Sequence, residues 1–289
     1  MTVPLHLEPP SPLDYFTSLV AEDDGFSTLE AAIALGQDAD PNLDPQTVLL
    51  AVDALAARLK QRLPADASPT HRVQVLNRFF FRELGFAGNV NDFHHPDNSY
   101  LHRVLTTRRG IPVTLAVLYV ELAQHIGLRA SGVSFPGHFL VKLRMPYGEV
   151  VIDPVNGESL SRARLDEWLE PFRRGQGAAG DAETPLGLFL QTALPREVIA
   201  RMLRNLKHVH RQAGNLAALL AVQDRLVCLL PQAWEEWRDR GLVLAEANQP
   251  GAALADLAVY LEHSPVAADA AALRHLVSEL RDALPGQAH

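Results

Sequence analysis

The sequence of 289 residues has little cysteine and no long apolar run. Its one thiol, Cys228, excludes an internal disulfide framework. The most apolar segment, 111–123, is interrupted by Thr114 and Glu121 and is shorter than the ~20 residues that span a bilayer. We therefore expect no membrane span. Residues 1–15 lack the basic start and apolar run of a secretion signal, so we expect a cytoplasmic protein.

An excess of positive charge is also missing. The 34 acidic residues outnumber the 26 basic ones, and the net charge is −8 with neutral histidines. A chain of this sign has no general attraction to nucleic acid or to an anionic membrane, and we expect neither as a partner. Apolar residues make up 47% of the chain, enough to fill the cores of the roughly two domains typical of this length.

What the sequence does contain is a series of helix starts followed by strand-like segments. Helix-start signals occur at Ser11-Pro12, at Ser27 with Glu30, at Asp44-Pro45 and at Ser68-Pro69. Apolar residues fill most positions from 113 to 126, which predicts a helix buried on most of its surface. The apolar period then changes to 2, which predicts strands at 131–135, 138–144 and 149–153. Helices followed by strands favour an α+β fold with a small antiparallel sheet.

The segment 173–185 is small, polar and rich in glycine, which predicts a linker. The expected domains are thus residues 1–172, a core with a helical N-terminal part, and residues 186–289. We expect the second domain to be entirely helical.

The sequence repeats itself within this second domain. Ala221 and Pro231 recur 34 residues later as Ala255 and Pro265. This is the period of the tetratricopeptide helix pair, and a plain helical bundle is the alternative. Because such repeats form concave surfaces that hold peptides or helices, we expect a protein or peptide partner to bind through 186–289.

His138 and Asp153 form a candidate pair in the predicted sheet. If residues 145–148 form a hairpin loop, Arg144 pairs with Glu149, and Asp153 becomes a diagonal neighbour of His138 on the same face. A carboxylate in that place orients an imidazole, as in the base and orienting residue of a catalytic triad. The alternative is a histidine at the start of a strand and an aspartate that caps a turn.

Several motifs resemble those of one known family. They are Asn98-Ser99-Tyr100-Leu101, Arg108-Arg109-Gly110-Ile111-Pro112, Phe135-Pro136-Gly137-His138-Phe139-Leu140-Val141 and Ile152-Asp153-Pro154. Together they resemble the bacterial transglutaminase-like family named after SirB, in which tetratricopeptide repeats follow such a core. The resemblance implies a papain-type core over residues 30–172, with His138 and Asp153 as site residues.

The resemblance also implies where a nucleophile would stand. In the wider transglutaminase and cysteine-protease superfamily, the catalytic cysteine begins the buried helix, where the helix N-terminus and an imidazole lower the thiol pKa. Gly110 and Ala116 match that pattern, and the cysteine position falls on Pro112. The resemblance thus implies a degenerate core without its thiol, serving as a protein- or peptide-binding module.

Thr114 provides the alternative of an active enzyme. A hydroxyl activated by His138, itself oriented by Asp153, would give a peptidase, amidase or acyltransferase. The competing interpretation is that Thr114 is an ordinary polar residue in the first turn of the helix, sharing one stripe with Glu121 and His125.

Two further groups are candidates for binding. Arg108 and Arg109 are placed to bind a carboxylate or phosphate beside His138, with Asn98 as a further ligand-binding candidate; a solvated or internally paired patch is the alternative. Asp92, His94, His95, Asp97 and His102 are close in sequence. They fit a metal site or, more simply, an exposed loop. We expect neither a cofactor nor a resident metal.

Overall fold

The computed structural model describes residues 10–22, 25–175 and 184–283, without the side chains of residues 174 and 175. The chain divides into two compact units. The core unit comprises residues 22–202, and the helical unit comprises residues 1–21 together with 203–289. The predicted division at 173–185 does not coincide with these units. Residues 176–183 of the predicted linker lie outside the described residues.

The described elements confirm an α+β class. The helices are α1 Pro12–Leu19, α2 Thr28–Ala34, α3 Pro45–Lys60, α4 Pro69–Asn77, α5 Leu101–Thr107, α6 Pro112–His125, α7 Arg162–Gly175, α8 Leu186–Phe189, α9 Pro195–Gln212, α10 Leu216–Leu229, α11 Trp234–Glu246, α12 Pro250–His263 and α13 Ala270–Asp282. The strands are β1 Ala87–Gly88, β2 Arg109–Gly110, β3 Arg129–Val133, β4 Leu140–Met145, β5 Gly148–Ile152 and β6 Ser159–Leu160. Short 3-10 turns lie at Leu35–Asp38 and Pro96–Ser99, and a π-helical turn lies at Arg78–Glu83.

The four predicted helix starts are confirmed. Ser11, Ser27, Asp44 and Ser68 are the N-caps of α1 to α4, and each side chain accepts a hydrogen bond from a backbone N–H of the first turn. These bonds satisfy amides that have no acceptor within the helix. Short-range chemistry thus fixes where each helix begins.

The main sheet is antiparallel, with strand order β3-β4-β5-β6. Its β4–β5 hairpin pairs Arg144 with Glu149, which is the predicted register. The strand after the Phe-Pro-Gly-His motif begins at Leu140 and not at His138. The reason is a turn in which Gly137 has a φ of 70°, a conformation that favours glycine. His138 therefore sits on a turn and not in a strand.

Helix α6 is the buried helix of the core, as predicted. Nine of its residues are buried, and Pro112 stands at its first position, where a missing N–H costs no hydrogen bond. Its buried Tyr119 donates a hydrogen bond of 2.6 Å from the hydroxyl to Asn77 Oδ1. Burial raises the pKa of Tyr119 well above its usual range.

The residues after 185 begin as part of the core, which explains the difference from the predicted boundary. Leu186 joins a buried cluster with Val133, Phe135, Leu140, Leu165 and Leu169. The Ala193 N–H donates to the Gly132 carbonyl at 2.9 Å, and Lys142 Nζ donates to the Leu190 carbonyl at 2.7 Å. The segment that follows residue 185 thus packs against the sheet.

The helical unit has the predicted 34-residue period. Helices α10 and α12 begin at Leu216 and Pro250 and are of equal length. Gly241 of α11 faces Leu257 so closely that a Cβ at this glycine would lie 2.9 Å from Leu257 Cγ, so the small residue permits the helices to approach. None of the helices in the described ranges is long and apolar enough to cross a membrane.

The N-terminal helix α1 also belongs to the helical unit. Buried Arg225 of α10 donates from Nη1 to the Pro12 carbonyl at 3.2 Å, and its guanidinium lies 4.9 Å from the centre of the Phe16 ring. These contacts explain why residues 1–21 group with the repeats and not with the predicted domain 1–172.

Candidate functional site

The structure brings His138 and Asp153 together. Nε2 of His138 lies 3.1 Å from Oδ1 of Asp153. The Asp153 side chain is 9% exposed, whereas the His138 side chain is 23% exposed. A buried carboxylate therefore orients an imidazole that a ligand can still reach. The second ring nitrogen, Nδ1, has no hydrogen-bond partner among the described residues and remains free for proton transfer or for a ligand.

Asp153 is held by the turn that follows β5. Its Oδ1 also accepts the Val155 N–H at 2.9 Å. Its own N–H donates to the Glu158 carbonyl at 2.9 Å, and its carbonyl accepts the Gly157 N–H at 2.8 Å. A carboxylate fixed by its own turn presents the same geometry to His138 at all times.

Trp168 of α7 forms one side of the pair. Its ring meets the His138 ring edge to face, with centroids 5.2 Å apart. On the same helix, Phe172 lies against Gly137, where an added Cβ would be 2.6 Å from Phe172 Cζ. Sequence reasoning missed Trp168. The available signal was its spacing from Leu165 and Leu169 on one face of a helix.

The Thr114 hydroxyl is engaged within its own helix start. It donates to the Asn98 carbonyl at 2.8 Å or the Ile111 carbonyl at 3.0 Å, and it accepts the Ile111 N–H at 3.1 Å. Thr114 is fully buried, and no described contact joins it to His138. The geometry required of a hydroxyl nucleophile, a bond from this oxygen to the imidazole, is therefore not formed.

Asn98 holds the loop in front of α6 and has no spare polar group. Its side-chain amide donates to the Asp92 and Phe93 carbonyls, and its Oδ1 accepts from Asn89 Nδ2. Its backbone carbonyl accepts the Ile111 N–H at 3.2 Å. These bonds leave Asn98 in a structural position, in contrast to the predicted ligand-binding one.

Arg108 and Arg109 contact the segment that precedes β1. The Arg108 guanidinium lies 4.7 Å from the centre of the Phe86 ring, and burial, with the nearby Arg58, lowers its pKa. Arg109 Nη1 donates to the Gly85 carbonyl at 2.7 Å. No described contact joins either arginine to His138, so the structure does not assemble the predicted anion site there.

The candidate metal ligands are not gathered into a cluster. Across residues 10–22, 25–175 and 184–283, no group of three or more histidine, cysteine or acidic side chains is placed to hold a metal ion. His95 Nδ1 instead accepts the Asp97 N–H at 3.2 Å. His102 packs against Gly36, and burial lowers its pKa.

Comparisons with known proteins show which families the two parts of the chain resemble. Residues 46–204, more than half of the chain, match the family model described as the transglutaminase-like superfamily. Residues 206–278 match the model described as the tetratricopeptide repeat. The matches support these two parts of the sequence resemblance, whereas the link to SirB rests on the motifs alone.

Curated relatives extend over most of the chain. A UPF0162 protein of Xylella fastidiosa strain Temecula1 is 33% identical over 245 residues, which cover 84% of this chain and 86% of the relative. A UPF0162 protein of Vibrio cholerae is 28% identical and covers 86% and 90%. The UPF0162 protein YchA of Escherichia coli K12 is 29% identical and covers 72% and 74%.

Proposed function

The chain belongs to the transglutaminase-like superfamily and to the UPF0162 proteins, and from that premise we propose that it is a protein- or peptide-binding module. In this proposal the core keeps the His138–Asp153 pair but lacks the nucleophilic cysteine, and the helices within 186–289 contact the partner. We also propose, as the sequence predicts, that the protein is cytoplasmic.

The observation that carries the proposal is the start of α6. Its first residue is Pro112, which has no nucleophile, and the Thr114 hydroxyl two residues on is engaged by backbone groups. The one cysteine, Cys228, lies in α10 of the helical unit. In this proposal Pro112 stands at the position from which a superfamily thiol would attack, and proline suits the first position of a helix.

In this proposal the His138–Asp153 pair serves binding and not catalysis. An imidazole oriented by a buried carboxylate is a fixed hydrogen-bonding group, and Trp168 adds an aromatic surface next to it. Such a group recognises a polar atom of a ligand without any chemical step. Tetratricopeptide repeats serve protein interactions generally, which supports the proposed partner surface.

The alternative function, an active peptidase, amidase or acyltransferase that uses Thr114, has less support. A hydroxyl needs a base within about 2.6–3.2 Å of its oxygen. Thr114 Oγ1 has backbone partners in that range instead. To reach His138 the hydroxyl would have to leave a fully buried site.

The assignment of Pro112 is tested by restoring the thiol. In a Cys228→Ser background, we expect Pro112→Cys to react with iodoacetamide well below pH 8, because a helix N-terminus and the His138 imidazole lower the thiol pKa. Adding His138→Ala should move this pH profile upward. The control is Ser161→Cys, at the exposed N-cap of α7, where a helix start acts without an imidazole. A Pro112→Cys thiol that titrates like the control would contradict the assignment.

Catalysis and binding are separated by two parallel assays. Wild type and His138→Ala should show equal, background-level turnover of glutamine acyl donors and fluorogenic peptides. A co-purified polypeptide should be retained by His138→Ala, which removes only one hydrogen-bonding group while the helices keep the main contacts. It should be lost in Val266→Asp, which alters a 95% exposed side chain between α12 and α13. Deletion of 186–289 is unsuitable because Leu186 and Ala193 contact the sheet. Turnover that disappears in His138→Ala would favour the enzyme.

A further inference from the structure

Two arginines face each other across the first two strands of the main sheet. In the β3–β4 register Arg129 is the direct partner of Arg144, and both side chains are exposed. Among the described residues, neither guanidinium has a hydrogen bond or an ion pair. Like charges directly opposite each other destabilise a strand pair. An anion that binds both arginines would offset this repulsion.

The neighbouring side chains leave this positive charge uncompensated. Lys142 lies on the same face, two residues before Arg144, and donates to the Leu190 carbonyl. Glu149 is the register partner of Arg144 on β5, but its ion pair is with Lys142, at 3.6 Å. Three cations thus lie near one carboxylate, whose described ion pair is with Lys142 and not with either arginine.

The arginines border an open cavity of about 400 Å³. Arg129, Lys142 and Arg144 line it and outnumber its one carboxylate, that of Glu149. Two hydroxyls, those of Ser131 and Thr192, also line it, and their oxygens are 3.2 Å apart. Guanidinium groups bind carboxylate or phosphate through paired hydrogen bonds, and hydroxyls add further donors. This cavity therefore suits an oxyanion.

A second cavity of about 440 Å³ continues from the first. The two share the lining residues Gln124, Ala130, Ser131 and Thr192. Its walls include the apolar side chains of Phe26, Leu29, Val120 and Phe139, and Glu121 is the one charged side chain among the described residues that line it. A ligand that extends from the arginines thus meets an apolar space with a single negative charge.

The edge of β3 that faces away from β4 lies between these two ends. Beside Gly132 this edge is covered by Ala193, and beside Ala130 it borders both cavities. The Ala130 carbonyl accepts from Gln124 Nε2 at 3.2 Å, and the Gly132 carbonyl accepts from the Ala193 N–H at 2.9 Å. In an antiparallel strand the N–H and C=O of one residue point to the same side. The N–H group of Ala130 therefore also faces this edge, where a peptide carbonyl supplies an acceptor.

We propose that this groove, bounded by Arg129 and Arg144 at one end and Glu121 at the other, binds the C-terminal segment of a polypeptide. The terminal carboxylate lies between the two arginines, a peptide carbonyl accepts the Ala130 N–H, and an apolar side chain enters the larger cavity. A basic side chain two residues before the terminus reaches Glu121. This site goes beyond the proposed function, because it uses neither the His138–Asp153 pair nor the repeats.

The test compares two forms of one probe on the full-length protein. N-terminally fluorescein-labelled Lys-Val-Leu with a free carboxylate, and the same peptide as a C-terminal amide, are titrated by fluorescence anisotropy at one ionic strength. We expect the acid to bind at least about tenfold more tightly, as for one charge-assisted bidentate contact. Equal affinities, or no binding of either peptide at millimolar protein, would overturn the proposal.

Variants then locate the contacts. Arg129→Gln and Arg144→Gln should each abolish the preference for the acid, and Glu121→Gln should weaken the Lys peptide but not Ala-Val-Leu. Arg82→Gln, which changes an exposed and unpaired arginine elsewhere in the described core, should change nothing. Inorganic phosphate is the third probe. If it binds at the arginines while the peptide does not, the groove is a simple oxyanion site and the peptide proposal is wrong.

Discussion

The helical unit and the core unit bury different kinds of polar groups. In the described helical unit, buried Asp256 receives two hydrogen bonds from Arg240, at 2.6 and 2.8 Å. Buried Glu236 accepts from Arg204 and Lys207. In the described core unit the buried polar residues are Asn98, Ser99, Thr114 and Asp153. Among the described residues, the helical unit thus buries the ion pairs of Asp256 and Glu236 beside His210, Gln223 and Arg225, whereas Asp153 is the one charged residue that the core buries.

This difference distinguishes charges that stabilise the fold from charges that are available to bind a ligand. A buried ion must have a partner for the unit to fold, so the charges of the repeats are explained by stability. The predicted basic side of α9 is an example, since Arg204 and Lys207 meet acidic residues of α11. In the core, the unpaired arginines Arg129 and Arg144 have no such explanation, and Asp153, besides holding its turn, orients an imidazole that a ligand can reach. They are therefore the groups to examine for binding.

The largest effect is expected in the helical unit. Asp256→Ala should lower the free energy of unfolding by about 3–5 kcal/mol, because it removes one member of a buried ion pair and leaves Arg240 without its main partner. Urea denaturation followed by far-UV circular dichroism measures the change. The control is Glu246→Ala, which breaks an exposed pair with Arg211 and should cost about 1 kcal/mol or less. Equal losses of stability in the two variants would contradict the importance of buried ion pairs in the helical unit.

A smaller loss is expected for the neutral hydrogen bonds of the core. Thr114→Val keeps the shape of the side chain but leaves the Asn98 carbonyl with fewer donors, so we expect a loss of about 1–2 kcal/mol. Thr106→Val is the matched control, since its hydroxyl bonds the His102 carbonyl at an exposed site and should change stability little. Thr114→Ser should retain most of the stability. A neutral Thr114→Val would mean that the hydroxyl is not needed for the fold.

Local rules predicted the elements better than they predicted the site contacts. N-cap chemistry at Ser27 and Asp44 depends on a few adjacent residues, and the Arg144–Glu149 register depends on one turn, so both are visible in the sequence. The partner of Thr114 is the Asn98 carbonyl, 16 residues away. That contact depends on how a loop packs against α6, which no periodicity encodes.

The same limit explains the unit boundary. The composition of segment 173–185 predicts a linker, but composition does not show that Ala193 will pair with the edge of β3. Nor does it show that Arg225 will bind the Pro12 carbonyl and draw α1 to the repeats. The unit boundary depends on contacts between residues that are far apart in sequence. Such contacts stabilise the chain only once it has folded.

The buried Tyr119 hydroxyl, whose partner is the neutral Asn77 side chain, makes the stability of the core depend on pH. Burial raises the Tyr119 pKa in the folded state, so above about pH 10 the unfolded chain loses this proton while the folded chain keeps it. Stability must then fall as pH rises. At pH 11 the wild type should have lost about 1 kcal/mol more than Tyr119→Phe, relative to pH 8. Tyr147→Phe, at a fully exposed site, should show no such difference in urea denaturation at the two pH values.

The smallest effect, and the one of opposite sign, is expected at the unpaired arginines. Arg129→Thr relieves repulsion from Arg144 and places a residue with high strand propensity on β3, so stability should be unchanged or higher by up to about 0.5 kcal/mol. Urea denaturation at low and high salt measures this, and the gain should shrink as salt screens the repulsion. A clear loss of stability would show that Arg129 is retained for folding. A gain means that two like charges persist across a strand pair at the expense of stability, which is what a site for an anionic group requires.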